Sequence, residues 1–322
     1  QRARDELPVS MHLPYTHLNA PTVFETQQGM QGMVLQIKGV PFETATTQAL
    51  NDAKRTWHQA LCLLDERFSV TVTVHRAPVN ITQKLQANFD RVFCQQINAA
   101  YFDQFKARPF YQNTIYLTLV YKGLTTGKVG KGLSWLGKLR DKTVKQARAK
   151  ARAHQRHILM DAMRRLQQTL DSLFGTRLLG KHDKALGHSE LLAFLSLVPN
   201  AGQPIQMPPP AGLQAFGNTL PQARQQHALY PHGNLAAYLG RQQILFHKDT
   251  IEFRDNHGQS KWGTMLSIKR FGSESASLLF DPLLQVDSEL IITHSLSLEA
   301  KNLARDRSEE HTSELQSRMF IS

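Results

Sequence analysis

The strongest constraint on the fold is a strict alternation of apolar and polar residues between Phe68 and Val74. The apolar residues are Phe68, Val70, Val72 and Val74, and they alternate with Ser69, Thr71 and Thr73. Because successive side chains of a β-strand point to opposite faces, this pattern predicts a strand with one apolar and one polar face. The apolar face has to be buried, so the chain must supply neighbouring strands and a layer that packs on them.

The first 121 residues supply these partners. Extended runs at 22–26 and 33–38 flank a glycine-bearing connection that suits a hairpin, and 114–121 reads as a further strand. Apolar residues at spacings of three and four predict a helix over 44–66, and a capping pattern at Asn80 predicts a second, long helix that reaches about Ala107. This order predicts an α+β fold in which helices pack on one face of a two-layer sheet.

The second half of the chain has shorter elements. We predict a short buried helix at 189–198, a hairpin across 244–254, a strand at 264–270, a helix at 277–285 and a last strand at 290–296. They predict a second, smaller α+β subdomain that shares the first sheet.

Between the two halves lies a strongly basic segment, Lys122 to Arg156. It contains eleven Lys or Arg residues and one acid, Asp141, and so holds ten of the twelve net positive charges of the chain. Its first part is rich in glycine, and a helix is predicted from Lys138. On that helix six cations fall on one face: Lys138, Lys142, Lys145, Arg148, Arg152 and Arg156. We refer to these six residues as the basic stripe.

The face that carries the basic stripe turns apolar further along, with Leu159, Met163, Leu166, Leu170 and Phe174. Because unpaired cations are costly to bury, either the first half of the helix projects from the body or the helix breaks near His154. The basic stripe is then a solvated face, a contact for a partner or anionic lipid, or a site for nucleic acid. Trp135 is the one aromatic ring available in the segment for base stacking.

Four segments follow from these patterns. They are an N-terminal α/β subdomain at 1–121, the basic loop and long helix at 122–180, the second subdomain at 181–306, and a tail at 307–322. The tail is polar and acidic, and it reads as the in-frame translation of a sequencing adapter rather than as a native disordered end. A native chain cut near Asp306, with its start also missing before Gln1, is therefore expected.

Several kinds of chemistry find no support in the sequence. The segment Gly123 to Val129 is one residue short of a phosphate-binding loop and has Val129 where a hydroxyl is needed. Cys62 and Cys94 are expected to be buried thiols, and there is no Gly-x-Ser-x-Gly nucleophile elbow.

The sequence also gives little support for a metal site or for a membrane span. His182, Asp183, His188 and Glu190 are metal ligands by type, but their spacing favours a loop followed by a helix cap. The apolar runs are far shorter than the ~20 residues that span a bilayer.

The order of several short motifs resembles one known family. The motifs are Leu13-Pro-Tyr15, Asn113 to Tyr121, Gly187 to Asn200 with Pro204 to Pro208, Gly263 to Lys269, and Phe280 to Leu284 with Glu289 to Ser295. In order and spacing they resemble the N-terminal domain of the CagE/TrbE/VirB family of type IV secretion and conjugal transfer ATPases. The resemblance covers about 13–304.

The resemblance implies an N-terminal docking and assembly domain of a secretion motor, cytoplasmic and peripheral to the inner membrane. The nucleotide site, with ATP and Mg, would lie in a RecA-like domain beyond this chain, so no catalytic, cofactor or metal residue is expected in the fragment. Implied partners are other secretion subunits and, in the full-length protein, further copies of itself, with weak nucleic-acid or anionic-lipid contact through the basic stripe. The alternative from another class is a stand-alone basic module that binds nucleic acid; an unrecognised hydrolase has no residues to support it.

Overall fold

The structure is a computed structural model that describes most of the chain. It describes residues 8–41, 44–79, 89–106, 110–123, 142–180, 188–207, 235–268, 281–284 and 286–298. At 104–106, 142–149, 281 and 284 only the backbone is described.

Ten strands and six helices are assigned within these residues. The strands are β1 (Tyr15–Ala20), β2 (Val23–Thr26), β3 (Gln31–Ile37), β4 (Phe68–Val79), β5 (Phe110–Tyr121), β6 (Thr176–Leu178), β7 (Gln243–Phe246), β8 (Ile251–Arg254), β9 (Ser260–Gly263) and β10 (Leu290–Ser297). The helices are α1 (Thr47–Cys62), α2 (Val92–Lys106), α3 (Lys142–Phe174), α4 (Glu190–Leu195), α5 (Ala236–Leu239) and α6 (Asp281–Leu284). A 3-10 turn precedes them at Val9–Met11.

The main sheet has seven strands, and the described pairs are antiparallel. Its order is β1-β2-β3-β5-β4-β10, and β6 pairs with β3 beside β2. One side of β3 is therefore shared: β2 pairs at Gln31 and Gly32, and β6 pairs at Leu35 to Ile37. The α+β class predicted from the sequence is confirmed. The last strand, β10, lies at one edge of this sheet and pairs with β4.

Helices α1 and α3 cover one face of this sheet. The alternating residues Phe68 and Val70 of β4, and Leu117 and Leu119 of β5, are buried there with Leu35 of β3. From α3 the same core receives Leu159, Met163, Leu166 and Leu170, all fully buried, and Phe174 packs at its edge. The apolar half of the predicted helix face therefore packs on the body as expected, and residues 142–174 form one continuous helix.

The opposite face of the sheet is covered by a layer that the sequence did not predict. Leu18, Phe24 and Val34 from the first three strands are buried against α4 and α5, in a second core that includes Leu191 and Leu195. Phe194 contacts Tyr116 of β5, with ring centroids 4.6 Å apart. The alternation along β3 therefore buries side chains on both faces of the sheet.

The long strand β4 continues further than its alternating pattern indicated. It reaches Val79 and pairs with Phe110 of β5, although Pro78 lies near its end. The pairing with β10 stops at Arg76, so among the described strands Pro78 interrupts no ladder on that side of β4. Helix α2 begins at Val92, and 89–91 is not helical, so the continuous helix predicted from Asn80 is wrong; the predicted cap at Asn80 lies outside the described residues.

Three further expectations need correction. The predicted strand at 264–270 is shifted: β9 is at Ser260–Gly263, because Asp255 Oδ1 accepts hydrogen bonds from the amides of His257 and Gln259 and closes the preceding turn early. The strands β1 and β6 were not predicted. Cys62 is exposed at the end of α1 and Cys94 is half-buried, so the expectation of two buried thiols is wrong.

We expect Gly32→Ala to destabilise the fold. A Cβ at Gly32 would lie 2.2 Å from the ring of Phe24, its neighbour across the β2–β3 pair, and that ring is buried against Tyr15. Such overpacking costs about 1–3 kcal/mol, which a urea unfolding curve measures as a lower midpoint. Gly263→Ala is the matched control, because its Cβ would meet nothing closer than 4.0 Å. An equal loss in both variants would contradict the role of the Phe24 contact.

Candidate docking surfaces

The structure divides the basic stripe into three parts. Lys138 lies outside the described residues, and Lys142, Lys145 and Arg148 lie on α3 with only their backbone described. Arg152 and Arg156 are described in full, and both contact the β1–β2 hairpin. Arg156 donates to the carbonyl of Asn19 at 3.2 Å, and Arg152 lies 3.2 Å from a carboxylate oxygen of Glu25. At least two of the six cations therefore fix α3 to the sheet.

Glu25 is the centre of this attachment. It projects from β2 beneath α3 and is 2% exposed. Its second oxygen accepts a hydrogen bond from Asn19 Nδ2 at 2.5 Å and lies 3.6 Å from His17 Nε2. A buried carboxylate is costly without partners, and Arg152 and Asn19 offset that cost. The pair of Glu25 with Arg152 in turn holds the first half of α3 against the sheet.

Helix α2 carries an exposed apolar stripe. Phe93, Ile97 and Tyr101 follow each other at four-residue spacing, so they share one side of the helix, and they are 70%, 54% and 55% exposed. Val92 is also exposed beside them. The half-buried residues Cys94, Asn98 and Phe102 lie on the neighbouring side of the helix. We call Phe93, Ile97 and Tyr101 the α2 stripe.

The sequence indicated the helix but not the stripe. Apolar residues occur nearly all round α2, and this pattern is typical of a helix that is buried on several sides. The absence of charge between Val92 and Phe102 was the available signal, because a solvated helix surface normally carries charges.

A second exposed apolar surface follows the three-stranded sheet of β7, β8 and β9. Trp262 is 58% exposed at the end of β9, and Met265, Leu266 and Ile268 are exposed in the irregular segment 264–268 behind it, Leu266 by 86%. This apolar segment is the stretch that the sequence predicted to be a strand. Large apolar side chains grouped in this way mark interaction sites on soluble domains.

A buried carboxylate organises the three-stranded sheet. Glu252 of β8 accepts hydrogen bonds from Ser260 Oγ at 2.5 Å and from both Nη2 and Nε of Arg254, and His247 Nε2 lies 3.2 Å away. The hydrogen bond from Ser260, then those from Arg254, lower the pKa of Glu252 to about 2. His247 also stacks on Trp262, so this cluster fixes the base of the apolar segment.

A polar junction ties the three-stranded sheet to the main sheet. Glu289, just before β10, lies 3.3 Å from His75 of β4 and accepts a hydrogen bond from Lys261 of β9 at 2.5 Å. Lys261 also donates to the carbonyl of Ala201 at 2.7 Å. The position next to Ala201 requires glycine, because the backbone φ of Gly202 is +84° and a Cβ there would lie 1.9 Å from Glu289 Oε1.

Of the potential metal ligands singled out from the sequence, those that the structure describes have structural roles. Ser189 caps α4 by accepting from the amide of Leu192, and Glu190 pairs with Arg177, so the helix-cap interpretation of this region is confirmed. His182, Asp183 and the glycine-rich loop after Gly123 lie outside the described residues. Among the residues that are described, no group of three or more His, Cys, Asp or Glu is arranged to hold a metal, and no helix is both long and apolar enough to cross a membrane.

These features define a mixed α+β domain with apolar surfaces suited to protein contacts. Two family descriptions match its sequence. "Type IV secretion system ATPase VirB4/TrbE, N-terminal domain" matches residues 22–129, and "CagE, TrbE, VirB family, component of type IV transporter system" matches residues 177–320. The unmatched part between them, 130–176, contains most of the basic segment and α3. The second match extends into the tail 307–322. That this tail derives from a sequencing adapter stays a prediction.

Curated relatives agree with these matches. The chain is 25% identical over 314 residues to the type IV secretion system protein PtlC homolog of Bordetella bronchiseptica, covering 94% of this chain and 34% of that protein. It is 22% identical over 309 residues to the type IV secretion system protein VirB4 of Bartonella henselae, covering 94% of this chain and 35% of that protein. The chain belongs to the CagE/TrbE/VirB family of type IV secretion ATPases, and it spans about a third of the length of these relatives.

We expect Glu252 to titrate with a midpoint of about 2, which NMR of its side-chain carboxyl carbon measures. Because the folded pKa lies below the ordinary 4.5, the carboxylate stabilises the folded sheet above pH 4.5 and loses that contribution as the pH falls toward 2. Ser260→Ala should raise the midpoint, because the hydroxyl is the first cause of the low pKa. Ser267→Ala, an exposed serine in the segment 264–268, should leave it unchanged. A midpoint near 4.5 in the unmodified chain would contradict the cluster.

We expect Glu25→Gln to loosen the first half of α3 selectively. The substitution keeps an oxygen for Asn19 but removes the charge that holds Arg152. Amides around 150–156 should then exchange hydrogen about tenfold faster by mass spectrometry, while those of 159–170 stay protected by the core. Asp161→Asn makes the same acid-to-amide change on the exposed side of α3, where Asp161 pairs with His157 and Arg164, and it serves as the control. Unchanged exchange in Glu25→Gln would show that the core alone holds the helix.

Proposed function

We propose that this chain is the docking and assembly domain of a type IV secretion motor ATPase, truncated before its nucleotide-binding domain. The observation that carries the proposal is the α2 stripe, in which three large apolar side chains stand exposed on a helix that contains few charges. Exposing such a row to water is unfavourable unless a partner covers it, since each side chain gains about 1.5–3 kcal/mol on full burial.

The apolar surfaces and the basic stripe of the proposed domain would serve different contacts. The α2 stripe and the apolar segment 262–268 suit protein partners, namely other secretion subunits at the inner membrane. The basic stripe suits an anionic surface, with Lys142, Lys145 and Arg148 as its main contributors because Arg152 and Arg156 are engaged with the sheet. This division supports a domain that is peripheral to the inner membrane on its cytoplasmic side.

ATP and Mg belong to the proposed full-length protein and not to this chain. The relatives extend over about three times the length matched here, which leaves room for a RecA-like motor domain. In this proposal the present domain contributes position rather than chemistry. Its residues hold the motor against the secretion complex and orient it toward neighbouring subunits.

We expect Ile97→Asp in the full-length protein to abolish its co-purification with the inner-membrane subunits of its own secretion system. The charge would have to be buried in the docked state, which is strongly unfavourable. The matched control is Gln96→Asp, the same charge at the adjacent exposed position on α2 but outside the stripe. The measurement is affinity purification from detergent-solubilised membranes, with the recovered subunits identified by mass spectrometry.

The same two variants test the consequence for secretion. Ile97→Asp should lose substrate transfer while the protein stays folded and present at normal level, and Gln96→Asp should transfer normally. If Ile97→Asp co-purifies and transfers like the unmodified protein, the α2 stripe is not the docking surface.

A further inference from the structure

The outer edge of β10 has the properties of a strand-pairing site. The strand is eight residues long and pairs with β4 in unbroken register from Leu290 opposite Arg76 to Ser297 opposite Ser69. Alternate residues of an antiparallel strand direct their backbone groups to opposite sides, so half of those of β10 face away from β4. Within the described ranges no strand lies on that outer side.

Among the described residues, β10 itself carries none of the usual protection against pairing. Proteins normally guard a sheet edge with charged residues, proline, bulges or a short strand. The sequence of β10, Leu-Ile-Ile-Thr-His-Ser-Leu-Ser, contains no Lys, Arg, Asp, Glu or Pro, and its register has no bulge. The opposite edge differs: β1 has two register irregularities in six residues.

The side-chain pattern of β10 is complementary to itself. Its residues Leu290, Ile292, His294 and Leu296 share the face of the sheet on which α1 and α3 pack, since their partners on β4 include Val70, Val72 and Val74. If two copies pair antiparallel around a twofold axis at Thr293, Leu290 lies opposite Leu296 of the second copy and Ile292 lies opposite His294. That register continues the apolar face across the junction.

Charge also favours a second copy at this edge over one at the other edge. The described cations of the basic stripe contact β1 and β2, which lie at the far side of the sheet. Four strand spacings separate β2 from β10, a distance of about 19 Å. Two chains joined along β10 would keep these positive charges at the two ends of a continuous sheet, beyond the range of strong repulsion at physiological salt.

We propose that two copies of this chain pair through their β10 strands, antiparallel and centred on Thr293, to form one continuous sheet. The inference extends the assembly role proposed above. It rests on one part of that proposal, that copies of the protein assemble with each other. It does not depend on which secretion subunit covers the α2 stripe.

A single cysteine at the twofold axis tests the pairing. In the full 322-residue chain with Cys62 and Cys94 replaced by serine, Thr293→Cys should form a disulfide-linked dimer under mild oxidation. The two residues at the axis would have Cα atoms about 4.5–5.5 Å apart, within the range of a disulfide. Ser295→Cys is the matched control on the same exposed face as Thr293. In this register it lies about 14 Å from its counterpart, so the dimer should be lost.

A photo-crosslinking amino acid at 293 in the full-length protein, expressed with its secretion system, identifies the occupant of the edge. The proposal requires an adduct that contains two copies of this protein and no other subunit. An adduct with a different subunit, an internal crosslink to the apolar segment 264–268, or equal dimer yields from Thr293→Cys and Ser295→Cys would each overturn it. Loss of subunit co-purification in Ile97→Asp with an intact Thr293→Cys dimer would separate this inference from the docking proposal.

Discussion

The burial of β3 on both faces is the constraint on which the rest of the structure depends. Val34 and Leu35 are adjacent in sequence, point to opposite sides of the sheet, and are both fully buried. A strand of this kind needs a packing layer above it and another below it, so neither half of the chain can complete the core by itself. Helices α1 and α3 supply one layer, and α4 and α5 supply the other.

The elements of the fold that could be predicted are those whose sequence pattern lies within one short stretch of the chain. The alternation of Phe68 to Val74 and the three- and four-residue spacing of Leu159 to Leu170 are local, and both elements were predicted with the correct buried face. The pairing of β6 with β3 is a contact between residues about 140 positions apart. A strand of three residues is too short for its sequence to indicate which strand it pairs with. The layer formed by α4 was missed for the same reason, although its helix and its cap were predicted.

The candidate docking surfaces were less predictable than the fold, because they consist of side chains that remain exposed after folding. Phe93 and Ile97 have the same sequence signature as core residues, and only their exposure in the folded chain makes them a surface. The basic stripe was found from its spacing, but its two roles were not separable in the sequence. The buried Glu25 that engages Arg152 lies 127 positions earlier in the chain, on a strand whose other residues are mainly apolar.

The way in which α3 is fixed has a mechanical consequence. The helix has 33 residues and is therefore about 50 Å long. Glu25 holds the helix about a third of the way along, at Arg152. Its far end is held by the turn at Gly175, whose carbonyl accepts from the amide of Lys38, and by β6, which pairs with β3. A rigid rod attached in this way acts as a lever. A load on its basic end would be carried past Glu25 into the central strand of the sheet, rather than absorbed by bending at the surface.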